Sequence, residues 1–459
     1  MRRLAAFFWL LLVLPAYAGP RLVFAGDVML GRGVAAEIIR TGKPPFAGLQ
    51  GLGRPDLMMG NFEGAAGNLA DCTPDPRPVA EQPPCLAMPV AMVQSLVGSN
   101  FTAFSLANNH AADLGEVGRA ASAETLRQLG ITPVPPSETP VFVRVGPHIV
   151  ALVALSLVPG RDGSADRIPS VAVAQQLRLA HALGDLTVVF IHWGAEFRDW
   201  PQPDQQAAAA WLTQHGADLI VGAHPHVAIT PSCVNGVPVF WSLGNLLFDQ
   251  NFAMTRLGML ADCDISAGVL GCRARGTRAV PGSTYPILTG SLPAPIETCR
   301  RVLRAGLSVA GWQVHGLTQA DGSLDLLGSK PGQQGWQVKG PVALLAADAA
   351  QFGPGQPERL FLLERVYSRI DGAVAPRPYI YDLRDYGLKA LWRGAALGWP
   401  LVDARMMAGN PDFLCSLHRD DSFLELNPAA PADRVEAWQW NGFGFTLDAA
   451  QQGQCSGLW

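Results

Sequence analysis

Residues 21–28 read RLVFAGDV, an apolar run that carries one acidic residue, Asp27, close to its end. A short apolar run bounded by turn residues is typical of a buried β-strand. The same pattern recurs along the next 220 or so residues, where each apolar run stops at a polar side chain. The recurring runs lie at 57–59, 101–106, 149–157, 186–191, 219–221 and 239–243.

Amphipathic or alanine-rich stretches, typical of helices, lie between several of these runs, at 90–96, 116–129, 172–182 and 205–215. Alternating strands and helices predict a mostly parallel sheet that is covered on both faces. After about residue 251 the pattern changes to short alternating runs separated by Gly and Pro, which is typical of β-structure. We therefore expect an α/β domain followed by a β-rich module, either an irregular sandwich or a few propeller-like blades.

Length, charge and composition limit the class of protein. The chain has 459 residues, enough for two or three domains. Hydrophobic residues make up 49% of it and charged residues 16%, with a net charge of -4. A nucleic-acid-binding protein is expected to carry a basic stripe and a high isoelectric point, so this composition excludes nucleic acid as the expected partner.

The first 18 residues are typical of a secretory signal peptide. Arg2 and Arg3 precede an apolar run at 4–14, and the small-residue pattern AYA follows at 16–18. This run is shorter than the roughly 20 residues that span a bilayer, and no later run reaches that length. We expect residues 1–18 to be removed, leaving an exported periplasmic or extracellular protein with no stable transmembrane span; an uncleaved N-terminal anchor is the alternative.

All eight cysteines follow this segment, and an even number in an exported chain favours disulfides. The spacing favours Cys72 with Cys85 and Cys263 with Cys272, because each pair closes a short loop. Cys415 with Cys455 is a weaker choice, and Cys233 with Cys299 is the pair that remains. The sequence alone leaves the connectivity open.

Polar residues capable of binding metals or anions cluster at the ends of the predicted strands. In open α/β sheets, ligands bind where the carboxyl ends of the strands converge. Each such residue has a structural alternative, such as a helix cap or a buried histidine bonded to the backbone, but their shared position favours a site. The residues are Asp27, Asn61, Glu63, Asn108, Asn109, His110, His192, His224, His226 and Asn245.

The donor types favour a particular class of metal. Imidazole, carboxylate and amide ligands without thiolate suit Mn, Fe or Zn rather than an all-oxygen Ca or Mg site. Such an ion activates water and polarises a substrate oxygen, while a nearby imidazole protonates the leaving group. In the segment GDVMLGRG, glycines surround Arg32, whose guanidinium can hold phosphate or carboxylate together with backbone donors.

Six blocks in order, GDVMLGRG, GNFEG, ANNHAADLGEVG, HWGAEF, GADLIVGAHPH and SLGNLLFDQ, resemble the CapA family. That family is associated with poly-γ-glutamate capsule biosynthesis and belongs to the calcineurin-like metallophosphoesterase superfamily. The resemblance covers about residues 20–252 and implies a four-layer α/β/β/α metallophosphatase-like domain at 19–252. A linker or extension at 253–340 and a β-rich C-terminal module at 341–459 are expected to follow.

The resemblance also implies roles for the residues at the strand ends. One or two divalent ions are expected on the ligand set Asp27, Glu63, Asn109, His192, His224 and His226. His110 would protonate the leaving group, and Asp113, three residues later, would orient its imidazole. Arg32 would hold an anionic group. Asn61, Glu196 and Asn245 would support the ligands or contact the substrate.

The sequence departs from the superfamily at two of these positions. The usual Asp-x-His of the first strand has Met29 in place of the histidine, and Glu63 replaces the bridging aspartate. A complete two-metal site and ordinary phosphomonoester hydrolysis are therefore less expected than a role on an envelope polymer. We expect a metal-dependent hydrolase or transferase acting on an anionic polymer such as poly-γ-glutamate. The alternatives are a broad periplasmic phosphoesterase and a non-catalytic polymer-binding or assembly factor.

Overall fold

The computed structural model describes residues 19–459 except 76, 79–81, 295, 297, 369–371, 395–396 and 420–430. The expected signal peptide at 1–18 lies outside the described residues. Within the part of the chain that is described, no helix is long and apolar enough to cross a membrane.

The described residues up to Val302 form mainly two β-sheets and five α-helices. The helices are α1 (Arg32–Thr41), α2 (Val90–Val93), α3 (Gly115–Gln128), α4 (Val171–Leu183) and α5 (Pro203–Gln214). The strands are β1 (Arg21–Val28), β2 (Leu57–Phe62), β3 (Ala65–Ala66), β4 (Ala87–Met88), β5 (Ala103–Ser105), β6 (Thr132–Val134), β7 (Val141–Val145), β8 (His148–Ser156), β9 (Leu186–His192), β10 (Leu219–Ala223), β11 (Ala228–Ile229), β12 (Ser232–Val234), β13 (Val237–Phe240), β14 (Ser242–Leu243), β15 (Asn245–Leu247), β16 (Leu257–Ser266), β17 (Val269–Ala279), β18 (Pro286–Leu292) and β19 (Arg300–Val302).

The two sheets are mixed, with parallel strands at their centres. The first has the order β18-β17-β16-β1-β2-β5-β6, with β15 also paired to β1 and β19 to β17. The second has the order β12-β13-β10-β9-β8-β7, in which β8, β9, β10 and β13 run parallel. Strands β16 to β19 lie after residue 252, so residues 257–302 of the segment 253–340, expected as a linker or extension, extend the first sheet with antiparallel strands.

The two sheets pack face to face. Successive side chains of a central strand point to opposite faces of its sheet, and both faces are apolar because one packs on the other sheet and one packs under helices. Phe24 and Met59 of the first sheet meet Val188 and Val221 of the second in one core. The neighbouring Val23 points the opposite way and joins the core under the helices. Each of these side chains is fully buried, and such burial stabilises the fold by about 1.5–3 kcal/mol per side chain.

Helices cover the outer face of each sheet. On the first sheet, Phe104 packs in one core with Leu126 of α3. On the second, Ile191 shares a core with Leu177 of α4 and Leu212 of α5. The layer order is therefore α/β/β/α, which confirms the four-layer domain implied by the family resemblance.

From Leu307 onward, the described residues form three successive four-stranded antiparallel sheets, confirming a β-rich C-terminal part. Each sheet is a simple meander, the unit from which propeller blades are built. The strands are β20 (Leu307–Val309), β21 (Trp312–Thr318), β22 (Leu324–Ser329) and β23 (Trp336–Lys339); β24 (Leu344–Ala350), β25 (Arg359–Ser368), β26 (Ala373–Arg384) and β27 (Gly387–Arg393); and β28 (Leu401–Met407), β29 (Phe413–His418), β30 (Arg434–Trp440) and β31 (Phe445–Leu447), followed by helix α6 (Gln452–Cys455).

This C-terminal part packs against α4. Gln175 and Arg178 of that helix donate to the buried carboxylate of Asp403 in β28, at 2.8 Å and at 2.6–2.8 Å. The indole N–H of Trp459 donates to the same carboxylate at 2.6 Å. A charged network thus fixes the last sheet to the first domain.

All eight cysteines are paired in the structure, and none is free. The favoured pairs Cys72–Cys85 and Cys263–Cys272 are present, as are Cys415–Cys455 and Cys233–Cys299. The two pairs favoured by loop length are therefore confirmed, and so are the weaker choice and the remaining pair.

Candidate metal site

The carboxyl ends of the central strands bring polar side chains of both sheets together. Asp27 at the end of β1 lies in register with Asn61 on β2 and with Asn245 on β15. The close approach of β1 to the chain at the start of β15 requires a glycine at position 26, because a Cβ on Gly26 would lie 1.7 Å from the carbonyl oxygen of Gly244. The sequence Gly-Asp at 26–27 therefore places an acidic side chain where three strands meet.

Three of the expected ligands form a tight group. One ligand atom from each of Asp27, Glu63 and His192 lies within 4.8 Å of the other two, and all three side chains are buried. Glu63 Oε1 accepts no hydrogen bond from the described residues, and Asp27 Oδ2 accepts no well-directed one, although His226 Nδ1 lies 3.0 Å away. Buried oxygens without a donor cost about 1–3 kcal/mol each. The unpaired oxygens and the donor types therefore fit a divalent cation.

Asn61 holds the two carboxylates in place. Its Nδ2 donates to Asp27 Oδ1 at 2.8 Å and also contacts Glu63 Oε2. Its own Oδ1 accepts a hydrogen bond of 3.1 Å from Asn108. Asn61 thus lies within the site, as expected, and acts as a support for the carboxylates.

Asn109 and His192, both expected as ligands, lie beside each other. The Oδ1 of Asn109 is 2.8 Å from His192 Nε2, and the same Nε2 is 3.6 Å from Glu63 Oε1. Asn109, from the turn after β5, and His192, the last residue of β9, thereby connect the two sheets. The structure brings together an amide, an imidazole and a carboxylate from three strands.

The turn after β10 supplies the other two histidines. His224 and His226 have φ angles of 97° and 58°, a left-handed region that costs a non-glycine residue about 1–3 kcal/mol. The ring of His224 lies 4.7 Å from that of His192, and its Nδ1 is buried without a hydrogen bond among the described residues. His226 Nδ1 lies 2.9 Å from Asn245 Oδ1, which orients that ring. Strained backbone that directs two imidazoles into one site indicates a functional role.

Burial and neighbouring charges set the ionisation of this cluster. Burial, with the Asp27 carboxylate nearby, raises the pKa of Glu63 well above its usual value. Burial lowers the pKa of His192 well below its usual value and the pKa of His224 to about 3. Burial also acts against the charged form of His226, but the Asp27 carboxylate, 3.0 Å from its Nδ1, outweighs it and raises that pKa. Two imidazoles are therefore neutral near pH 7, which leaves their lone pairs available to a metal.

His110 lies in the turn between β5 and α3, paired with Asp113. Its Nδ1 is 2.8 Å from Asp113 Oδ2, and its backbone N–H donates to Asn108 Oδ1 at 3.0 Å. Within the described residues, its Nε2 makes no hydrogen bond. The structure thus contains the expected His–Asp pair, with one imidazole nitrogen available for proton transfer.

Arg32 and Glu196 are not part of this buried cluster. Arg32, the first residue of α1, forms an ion pair with Asp249, with Nε 3.1 Å from Oδ2, and stacks on the ring of Phe248. Glu196 is exposed in the loop after β9, close enough to influence the pKa of His226. Both residues lie at the rim of the site.

Met29 provides no ligand in place of the missing histidine. Its side chain is fully buried in the core between the first sheet and its helices, and its sulfur accepts the N–H of Gly31 at 3.0 Å.

The sequence did not predict two residues that contact the site. Gln250 accepts a hydrogen bond from Asn245 at 3.0 Å, and Arg161 donates one to Asp113 at 3.3 Å. Gln250 lies within the block SLGNLLFDQ, but no motif surrounds Arg161.

Comparison with known proteins matches about half of this chain to one family. A family model described as "Bacterial capsule synthesis protein PGA_cap" matches residues 21–250. The "PGA biosynthesis protein CapA" of Bacillus subtilis (strain 168) is 30% identical over 249 residues, which cover 51% of this chain and 64% of that protein. The "Capsule biosynthesis protein CapA" of Bacillus anthracis is 29% identical over 259 residues, covering 51% and 61%. The chain thus spans less than two thirds of the length of either relative.

Proposed function

Because the chain belongs to the PGA_cap family of bacterial capsule synthesis proteins, we propose that it is an exported, metal-dependent hydrolase or transferase. Its substrate is an anionic cell-envelope polymer such as poly-γ-glutamate. The names of the two relatives, which refer to capsule and PGA biosynthesis, support a role in capsule synthesis. The four disulfides support an oxidising location, in the periplasm or outside the cell.

The observation that carries the proposal is the buried group of Asp27, Glu63 and His192 with its unpaired oxygens. These residues, with Asn109, His224 and His226 around them, would hold one or two ions of Mn, Fe or Zn. A bound ion would supply Lewis-acid polarisation of a substrate oxygen and a lowered pKa of water.

The protein's own proton-transfer group is His110. Asp113 accepts from His110 Nδ1, which leaves Nε2 to take a proton from the attacking water or polymer terminus and to give it to the leaving group. An anionic group of the substrate that reaches Arg32 has to compete with Asp249 for the guanidinium. Arg32 is the rim residue that would hold a negatively charged group of the polymer, after that group displaces Asp249.

Met29 favours a second candidate function, which is polymer binding without catalysis. Its buried apolar side chain occupies the position of the histidine that is usually a metal ligand. In that case the cleft binds polymer without chemistry, and the C-terminal sheets provide the surface for assembly. This function predicts polymer binding that survives the loss of the metal-ligand residues.

The experiment that separates these functions measures turnover of poly-γ-glutamate and of an activated phosphodiester with added Mn, Fe or Zn. His110→Gln should lose turnover and keep its metal, whereas Asp27→Asn should lose both. His215→Gln is the matched control, because His215 stacks on Trp211 away from the site. No turnover with any ion, together with equal polymer binding by all variants, would contradict the enzyme proposal and support the binding factor.

A further inference from the structure

Arg161 lies buried beside the His110–Asp113 pair. Its side chain is 7% exposed, and its Nε donates to Asp113 Oδ1 at 3.3 Å. The other carboxylate oxygen, Oδ2, accepts from His110 Nδ1 at 2.8 Å and from the backbone N–H of Leu86 at 2.7 Å. Donors on both oxygens therefore fix the orientation of the Asp113 carboxylate.

The same guanidinium also contacts the loop that the Cys72–Cys85 disulfide closes. Its Nη2 donates to the carbonyl of Pro83 at 3.0 Å and its Nη1 to that of Thr73 at 3.4 Å, near the two ends of the loop. Its Nη1 also lies 3.5 Å from Asp75 Oδ2. One planar group thus ties this loop to the residue that orients the imidazole.

We propose that Arg161 is a positioning residue: it holds the Asp113 carboxylate in the orientation in which Oδ2 accepts from His110 Nδ1. The significance of this role for catalysis rests on the proposed function of His110. Without the guanidinium, buried Oδ1 loses its charged donor, and the carboxylate turns to bring Oδ1 to a new donor at the expense of the bond between Oδ2 and the imidazole, since only the N–H of Leu86 still holds it from the backbone. A lysine keeps the charge but cannot reproduce the forked donors that reach Asp113, Pro83 and Thr73 together.

The test is an NMR measurement on the full mature, metal-free protein labelled with ¹⁵N-histidine. A proton shared with a carboxylate resonates far downfield, and the His110 signal is assigned by its loss in His110→Gln. We expect this signal in the wild type and its loss in Arg161→Gln and Arg161→Lys. Arg119→Gln should keep it, because Arg119 pairs with Glu116 and with Asp162, the neighbour of Arg161, but does not contact Asp113.

Retention of the signal in both Arg161 variants, or its absence from the wild type, would overturn the proposal. The lysine variant preserves the charge between Asp75 and Asp113, so it decides the question if the glutamine variant does not fold. Metal content is measured on the same variants before the metal is removed and should be equal, because Arg161 forms its hydrogen bonds and ion pairs with none of the expected ligands. A wild type that binds no metal would contradict the proposed function. The NMR spectrum would still test the role of Arg161, because it is recorded without metal.

Discussion

Replacing Glu63 with glutamine should stabilise the metal-free protein and abolish its response to metal ions. The Glu63 side chain is fully buried, its Oε1 accepts no hydrogen bond from the described residues, and Asp27 lies in the same tight group. Glutamine has nearly the same shape, carries no charge, and adds an N–H donor beside the unpaired oxygens. The substitution therefore removes an electrostatic cost of the metal-free site together with one ligand.

The expected gain is about 1–3 kcal/mol, the usual cost of an unsatisfied buried polar group. In a domain as large as the first one, this gain in the free energy of unfolding raises the melting temperature by roughly 2–10 °C. At about 1,000 times its dissociation constant, an ion should stabilise the wild type by about 4.1 kcal/mol, more than the gain of the variant, and leave the variant unchanged. The order of stability should therefore reverse when metal is added.

The pH dependence has a defined sign. Burial raises the pKa of Glu63 in the folded state above the ordinary 4.5. The folded wild type therefore holds its proton more tightly than the unfolded chain and loses stability as pH rises from 4.5 through the raised pKa. The difference between variant and wild type should vanish below pH 4.5 and reach its maximum above the folded-state pKa.

The assay is thermal unfolding in EDTA and in Mn, Fe or Zn. Glu364→Gln is the matched control, since Glu364 is also buried with a raised pKa but lies in β25, outside the site. Its effect on the melting temperature should be the same with and without metal. A Glu63→Gln protein that is less stable than the wild type in EDTA, or that responds to ions as the wild type does, would refute this reasoning.

Three further predictions concern stability. Asp403→Asn should lower the free energy of unfolding by about 1.5–3 kcal/mol in urea titrations, because Arg178 loses its charged acceptor at the interface with the last sheet. Removing the Cys72–Cys85 disulfide with a double serine variant should cost about 3 kcal/mol by the same measurement, because the disulfide closes a loop of 13 residues. Burial lowers the pKa of His418 from 6.5 to about 4 in the folded protein. As pH falls from 6.5 to 4, the unfolded chain therefore binds a proton that the folded protein does not, and the free energy of unfolding decreases. The loss should reach about 3 kcal/mol and be absent from His418→Gln.

The sequence predicts the central strands of the two sheets because their apolar runs are strong local signals. The run at 186–191 became β9 (Leu186–His192), and 219–221 became β10 (Leu219–Ala223). Periodicity does not show that the runs divide between two sheets, because buried strands of either sheet have the same pattern; the four-layer order came from the family resemblance. Helix α1 was missed because it begins at a glycine-rich turn and has no side-chain cap.

The site was predictable where its residues end strands. Asp27, Glu63 and His192 each follow or end an apolar run, and topology alone brings such ends together. Arg161 was not predictable, since it reaches Asp113 across 48 residues from a loop without a motif. The ion pair of Arg32 with Asp249, 217 residues away, likewise depends on tertiary packing.

The most direct test of the central claim is elemental analysis of the mature protein, produced by export so that its disulfides form, beside its Asp27→Ala and His224→Ala variants. We predict near-stoichiometric Mn, Fe or Zn in the wild type and its loss from both variants, with circular dichroism showing that each remains folded. Equal metal content in all three proteins, or no metal in a folded wild type reconstituted with each ion, would contradict the assignment of the site.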